Sequence, residues 1–135
     1  DVLYAEDNKI NQVVVRGLLS EEGHAVTLAS DGSECLRLLE QHQFDIVFMD
    51  LEMAPMGGIE AARRIRASAK PFARIPIVAL TQHEAPGYVW ESRSAGMDDY
   101  LVKPIKVPPL LAAMARLRDT PPDGGAGPGP GKTSA

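Results

Sequence analysis

The chain has 135 residues, 44% hydrophobic and 24% charged, with 14 basic against 18 acidic side chains and a formal net charge of −4. That is one domain of ordinary size, apolar enough to bury a core without disulfides or structural metal, and wholesale disorder is excluded. The acidic balance argues against direct nucleic-acid binding, and no apolar run approaches the roughly 20 residues needed to span a bilayer.

Cys35 is the single cysteine, so no internal disulfide can form; it stands in an apolar helical pattern with Leu36, Leu38 and Leu39, which points to core packing in a reducing compartment. No charged leader precedes an apolar segment, and a soluble, cytoplasmic domain without membrane contact is expected. The chain opens abruptly with Val2–Ala5 already reading as a strand, as if cut from a longer parent that could itself be membrane-anchored.

After that first strand, Glu6-Asp7-Asn8 can cap a helix carrying Ile10, Val13, Val14, Leu18 and Leu19 at helical spacing, and Gly23 ends it. His24–Ala29 alternates as a second strand, Ser30 to Ser33 supply a turn and cap, and a helix runs from Glu34 to about His42. In FDIVFMD, residues 44–50, four consecutive apolar side chains read as a strand buried on both faces that delivers Asp50 to its carboxyl end. The loop LEMAPMGG leads into a helix with Ile59, Ala62 and Ile65 and the bases Arg63, Arg64 and Arg66, and 70–74 form a connector.

Ile77–Leu80 is a fourth buried run, halted at Thr81, followed by a weaker helix over about Ala85–Ala95 that contains Pro86, Gly87, Val89 and Trp90. Gly96 closes it, Asp99–Val102 is a short strand, Lys103-Pro104 turns the chain, and Pro108–Leu117 forms a last helix with Leu110, Leu111, Met114 and Leu117 on one side. Strand and helix alternate five times, which predicts an α/β fold: a five-stranded parallel sheet with helices on both faces. The domain is expected over 1–118, and 119–135, rich in Gly and Pro, as a flexible tail or linker. Its terminal GKT lacks the first glycine and the preceding strand of a phosphate-binding loop.

In a parallel sheet the strand carboxyl ends share one edge, so Glu6, Asp7, Asp50, Thr81 and Lys103 converge although distant in sequence. Singly, each has an ordinary explanation as a cap, a strand end or a solvated charge; together they form a constellation. Three close carboxylates repel unless a hard divalent cation sits among them, and Mg²⁺ (or Mn²⁺) fits, held by Asp7 and Asp50 directly and Glu6 through water. One oxygen of Asp50 then remains free to attack phosphorus, while the cation, Lys103 and the Thr81 hydroxyl neutralise the charge that develops on the transferred group. His24, His42 and His83 show no metal spacing; His83, two residues after Thr81, is placed to influence phosphate lifetime.

The segments AEDNKINQ at 5–12, FMDLEMAPMGG at 48–58, ALTQHE at 79–84 and AGMDDYLVKP at 95–104 resemble, in order and spacing, a response-regulator receiver domain of two-component signalling. The resemblance implies a flavodoxin-like sheet of order 2-1-3-4-5, with Asp50 as phospho-acceptor, Glu6 and Asp7 as the acidic pair, and the backbone carbonyl of Glu52 as a third metal ligand. Thr81 and Tyr100 match the family's switch residues, and Lys103 its lysine, whose bond to Pro104 is usually cis. It also implies a histidine kinase or histidine phosphotransfer domain as donor, and a downstream effector or adjacent domain reading the fourth helix, fifth strand and fifth helix.

Two departures stand in the loop after Asp50, where Ala54 replaces a usual proline and Gly57 a usual aspartate. The EDN-x-x-NQ opening and AGMDDYLVKP look most like receivers of hybrid sensor histidine kinases. Two other functions compete. A pseudo-receiver would keep the fold and take no phosphate, but it is expected to have lost the acceptor or the acidic pair. A phosphatase with an aspartyl nucleophile would carry a second aspartate where Glu52 stands.

Overall fold

The computed structural model describes residues 1–82 and 86–118; His83, Glu84, Ala85 (the expected start of the fourth helix) and the segment 119–135 expected as a tail lie outside the described residues. In chain order the elements are β1 (Val2–Ala5), α1 (Lys9–Glu21), β2 (Val26–Ala29), α2 (Gly32–Gln41), β3 (Ile46–Asp50), α3 (Gly58–Ala67), a 3-10 turn (Pro71–Arg74), β4 (Ile77–Thr81), α4 (Pro86–Ser94), β5 (Asp99–Val102) and α5 (Val107–Arg118). All strand pairs are parallel and the order is β2-β1-β3-β4-β5, as the resemblance implies.

The continuous apolar runs take the inner places. All residues of β1, β3 and β4 are buried, whereas the edge strands β2 and β5 are mostly half-exposed. Alternation divides the core into two layers. Leu3, Val47, Met49 and Ile77 face α2, α3 and the start of β5, with Cys35, Leu39, Ala61, Ala62, Ile65 and Met97 packed on them. On the opposite face Val2, Tyr4, Phe48, Val78 and Leu80 meet Val15 and Leu19 of α1 and Leu110, Ala113 and Leu117 of α5. Cys35 is fully buried, and burial pushes its thiol up to about 12, which suits a packing residue and not a nucleophile.

The structure turns α1 differently from its apolar pattern. Gln12, Val15 and Leu19 form the buried seam, and Ile10, Val13, Val14 and Leu18 are exposed, Ile10 by 74% and Val13 by 58%. Apolar residues surround most of this helix, so hydrophobicity alone leaves its rotation open. Gln12 settles it, because its buried amide donates to the Glu6 carbonyl and reaches the Ala29 carbonyl at 3.5 Å. Trp90 on α4 is likewise 71% exposed and is not part of the core.

Smaller differences are local. β2 begins at Val26 and not at His24, and α2 begins at Gly32 because Asp31 accepts from the Glu34 amide at 2.9 Å while the Glu34 carboxylate accepts from the Ser30 amide at 2.7 Å.

Arg66 of α3 closes the amino-terminal edge of the sheet. Its guanidinium donates to the carbonyls of Gly96 (2.8 Å), Ala73 (2.8 Å) and Ile75 (2.7 Å) and to Asp98 Oδ2 (2.9 Å), which also accepts from the Ile77 amide at 2.9 Å. Gly96 has φ of +95°, and a Cβ there would strike the Arg66 side chain, so glycine meets two requirements at once. Arg66→Ala leaves several acceptors short of a donor and is expected to cost about 3 kcal/mol, read as a lower urea midpoint at unchanged slope.

Candidate functional site

The carboxyl edge of the sheet carries the constellation. Glu6 and Asp7 follow β1, Asp50 ends β3, Thr81 ends β4 and Lys103 follows β5. Glu6, Asp50 and Thr81 are buried to within 3% exposure although polar, and Lys103 is half-buried. Sheet register brings Asp50 opposite Leu80 and Thr81 opposite Val102, and the Lys103 amide donates to the Thr81 carbonyl at 2.7 Å.

Lys103 is the hub. Its Nζ lies 2.5 Å from Asp50 Oδ2 and 3.5 Å from Glu6 Oε2. Burial lowers the ammonium's affinity for its proton, but the bonds and charges of Asp50 and Glu6 outweigh that and hold it protonated. Asp50 is pushed above the usual carboxylate range chiefly by burial, with the Lys103 bond and the Glu52 amide opposing and Glu6 adding to the rise. Both Asp50 oxygens are engaged, because Oδ1 accepts from the Glu52 amide at 2.9 Å.

Glu6 is positioned from α1. Asn8 caps the helix by accepting from the Asn11 amide at 3.0 Å, and the Asn11 side chain in turn donates to Glu6 Oε2 at 2.6 Å. Together with the Gln12 anchor on the Glu6 carbonyl, this fixes both ends of the residue. Asn11 and Gln12 stand inside the AEDNKINQ segment, yet periodicity showed neither as a support of the site. Tyr4 stands inside β1 and carries no signal of its own in the sequence. Its hydroxyl is buried and lacks a hydrogen-bond partner, a condition that costs about 1–3 kcal/mol.

Among the described residues, no three His, Cys, Asp or Glu side chains close on one point tightly enough to hold a metal ion by themselves. Asp7 is exposed, and the Lys103 ammonium lies between the carboxylates of Glu6 and Asp50. This donor set still fits Mg²⁺, which takes one or two carboxylates and keeps several waters where Ca²⁺ or zinc would demand a fuller cage. Glu52 is exposed two residues beyond Asp50, and Tyr100 is half-buried against the core layer beneath α2 and α3.

The loop with the two departures is tucked inward. Leu51 and Met53 are buried, the Gly32 amide donates to the Met56 carbonyl at 2.9 Å, and Ala54-Pro55 as well as Lys103-Pro104 are cis. Gly57 serves as the cap position of α3. A Cβ on Gly58 would strike the Asp50 carbonyl oxygen, so only glycine lets α3 begin so close to the strand end. A cavity of about 650 Å³ beside Phe44, Phe72 and Lys70 lies at the opposite edge of the sheet and has no part in this site.

Comparison with known proteins places the fold in a family. The family model for the response regulator receiver domain matches residues 2–115, and the chain belongs to that family. It is 37% identical over 114 residues to the CAI-1 autoinducer sensor kinase/phosphatase CqsS of Vibrio cholerae, covering 84% of this chain and 17% of that protein's length. Among solved structures it is similar to the receiver domain of a Pseudomonas aeruginosa sensor histidine kinase, which has a magnesium ion coordinated in its active-site cleft: TM-score 0.79, 37% identity, 87% of this chain and 95% of that one. It is also similar to a Saccharomyces cerevisiae complex of the histidine phosphotransfer protein Ypd1 with the receiver domain of its downstream response regulator Ssk1: TM-score 0.77, 29% identity, 85% of this chain and 86% of that one. No described helix is long and apolar enough to cross a membrane.

Proposed function

We propose that the domain, over 1–118, accepts a phosphoryl group from a phosphohistidine onto Asp50 and thereby changes a surface read by an effector. The observation that supports this most is the Lys103 ammonium bridging the buried carboxylates of Asp50 and Glu6. An Asp50 oxygen attacks phosphorus, the P–N bond to the donor imidazole breaks, the imidazole leaves with a proton from solvent, and an acyl phosphate remains. Lys103 moves from Asp50 Oδ2 onto the phosphoryl oxygens, and the Thr81 hydroxyl donates to them. A bound Mg²⁺ (or Mn²⁺), held by Asp7, Asp50 and the Glu52 carbonyl with Glu6 through water, would neutralise part of the phosphoryl charge.

The phosphoryl group adds about −1.5 to −2 charges at a buried position, enough to draw Thr81 inward and let Tyr100 follow. Inverting a 1:99 population needs roughly 5.5 kcal/mol of preference for the active form, so a partner on α4, β5 and α5 shares that work. The donor is a histidine kinase or a histidine phosphotransfer protein, and the exposed stripe of Ile10, Val13, Val14 and Leu18 beside the acidic pair offers it an apolar face. Val14→Glu is therefore expected to slow loading from a phosphorylated histidine phosphotransfer protein by roughly 30-fold, about 2 kcal/mol, and to leave loading from acetyl phosphate unchanged. Equal effects on both donors would remove α1 from the docking surface.

Incubation with acetyl phosphate and Mg²⁺, followed by intact-mass measurement and free-phosphate assay, tests the assignment. A divalent-dependent gain of one phosphoryl group is expected; no gain would make the domain a pseudo-receiver, and steady phosphate release without accumulation would make it a phosphatase.

A further inference from the structure

Tyr4 stands on β1 two residues before Glu6, and its ring is wholly buried against Phe48 at a centroid distance of 6.0 Å. Its hydroxyl is the one buried side-chain polar atom without a hydrogen-bond partner among the described residues. It lies under the site. Burial first, then the charges of Glu6 and Asp50 and a weak hydrogen-bonding interaction with the Glu6 carboxylate, oppose its ionisation, so it remains a donor aimed at Glu6 without yet making a bond of ordinary geometry. Phenylalanine would fill the same space and leave nothing unpaired.

Glu6 Oε2 has two other neighbours, the Asn11 amide at 2.6 Å and Lys103 Nζ at 3.5 Å. Lys103 is shared with Asp50, where it is closer, at 2.5 Å. Any anion seated on Asp50 competes for that ammonium and takes from Glu6 its only cationic partner among the described residues. A buried carboxylate deprived of a donor must recruit another or take up a proton. Among the described residues the buried donor beside Glu6 that has no other partner is the Tyr4 hydroxyl.

We infer that Tyr4 is a positioning residue: its hydroxyl closes a full hydrogen bond to the Glu6 carboxylate once Lys103 has left it, keeping Glu6 aimed at the site throughout the loaded state. This rests on the reading of Asp50 as the acceptor. The hydroxyl thus lacks a bond of ordinary geometry in the resting domain because Glu6 is engaged by Asn11 and Lys103. The loaded state satisfies both groups.

The test is a double-mutant cycle on unfolding by urea, with Tyr4→Phe made in the wild-type chain and in Lys103→Met. In the wild type, Tyr4→Phe is expected to leave the folding equilibrium constant unchanged or raise it, since it removes an unpaired group. In Lys103→Met, where Glu6 has lost the ammonium, the same substitution is expected to lower it about fivefold. An effect of the same sign and size in both backgrounds would overturn the proposal. A second measurement holds even if Lys103→Met folds poorly: the rise in thermal midpoint on adding Mg²⁺ with beryllium fluoride, a phosphoryl mimic, is expected to be smaller in Tyr4→Phe than in the wild type. Equal rises overturn the role of Tyr4 alone; no rise in either chain overturns the reading of Asp50 and this inference with it.

Discussion

Asp50→Asn is expected to abolish phosphoryl acceptance from every donor while leaving the domain folded and no less stable. The carboxamide has neither the charge nor the nucleophilic oxygen that an acyl phosphate requires, and no described carboxylate shares its place on the rim. Stability follows from the burial of Asp50, which raises its carboxyl above the ordinary 3.8 despite Lys103. An acid raised by folding is ionised more readily in the unfolded chain, so its contribution to stability falls as pH climbs from the unfolded value toward the folded one. Asparagine removes that falling component and one of two buried negative charges, and it leaves Lys103 paired with Glu6. Intact mass after acetyl phosphate treatment, and thermal midpoints from pH 4 to 8, read both effects. A midpoint well below the wild type at neutral pH would mean that the Asp50–Lys103 pair stabilises the fold more than burial of the carboxylate opposes it.

Lys103→Ala is expected to act in the opposite direction on stability. It strands Glu6, 2% exposed, and Asp50, also 2% exposed, without the ammonium that bridges them. Removing one member of a buried ion pair typically costs about 3–5 kcal/mol, because the uncompensated charge remains. Millimolar Mg²⁺ is expected to restore part of the loss, since a divalent cation substitutes for the missing charge among the same oxygens. Phosphorylation is expected to slow by at least about a hundredfold even in the metal, because a donor to the developing phosphoryl charge has gone. Denaturation with and without Mg²⁺ reads the first effect, and single-turnover labelling reads the second. Equal stability of Lys103→Ala in both buffers would mean that the carboxylates hold no cation between them.

The sheet and its rim were legible for one reason. β1, β3 and β4 are buried on both faces, so their residues form unbroken apolar runs, and each run stops where Glu6, Asp50 or Thr81 begins. Strand order was carried by the resemblance to receiver domains and not by periodicity. The rotation of α1 was illegible because Ile10, Val13, Val14 and Leu18 form as good a stripe as Val15 and Leu19; only the docking of a polar residue, Gln12, distinguishes them. Tyr4 reads as one more strand residue until its neighbours across the sheet are known. The engagement of both Asp50 oxygens likewise depends on Lys103, 53 residues away in the chain, and no local pattern carries it. Trp90 is a large aromatic whose place no local pattern fixes, and the position of α4 leaves it exposed.

The most direct test of the central claim is to trap the phosphoryl adduct chemically. An acyl phosphate is reduced by borohydride to the corresponding alcohol, so labelling with acetyl phosphate and Mg²⁺, reduction, proteolysis and peptide mass spectrometry locate the acceptor. The expected result is conversion of Asp50 to homoserine in the peptide containing FDIVFMD, dependent on the divalent cation and on the phosphoryl donor. Conversion of Glu6 or Asp7 in its place, or no conversion in a fully folded sample, would contradict the account.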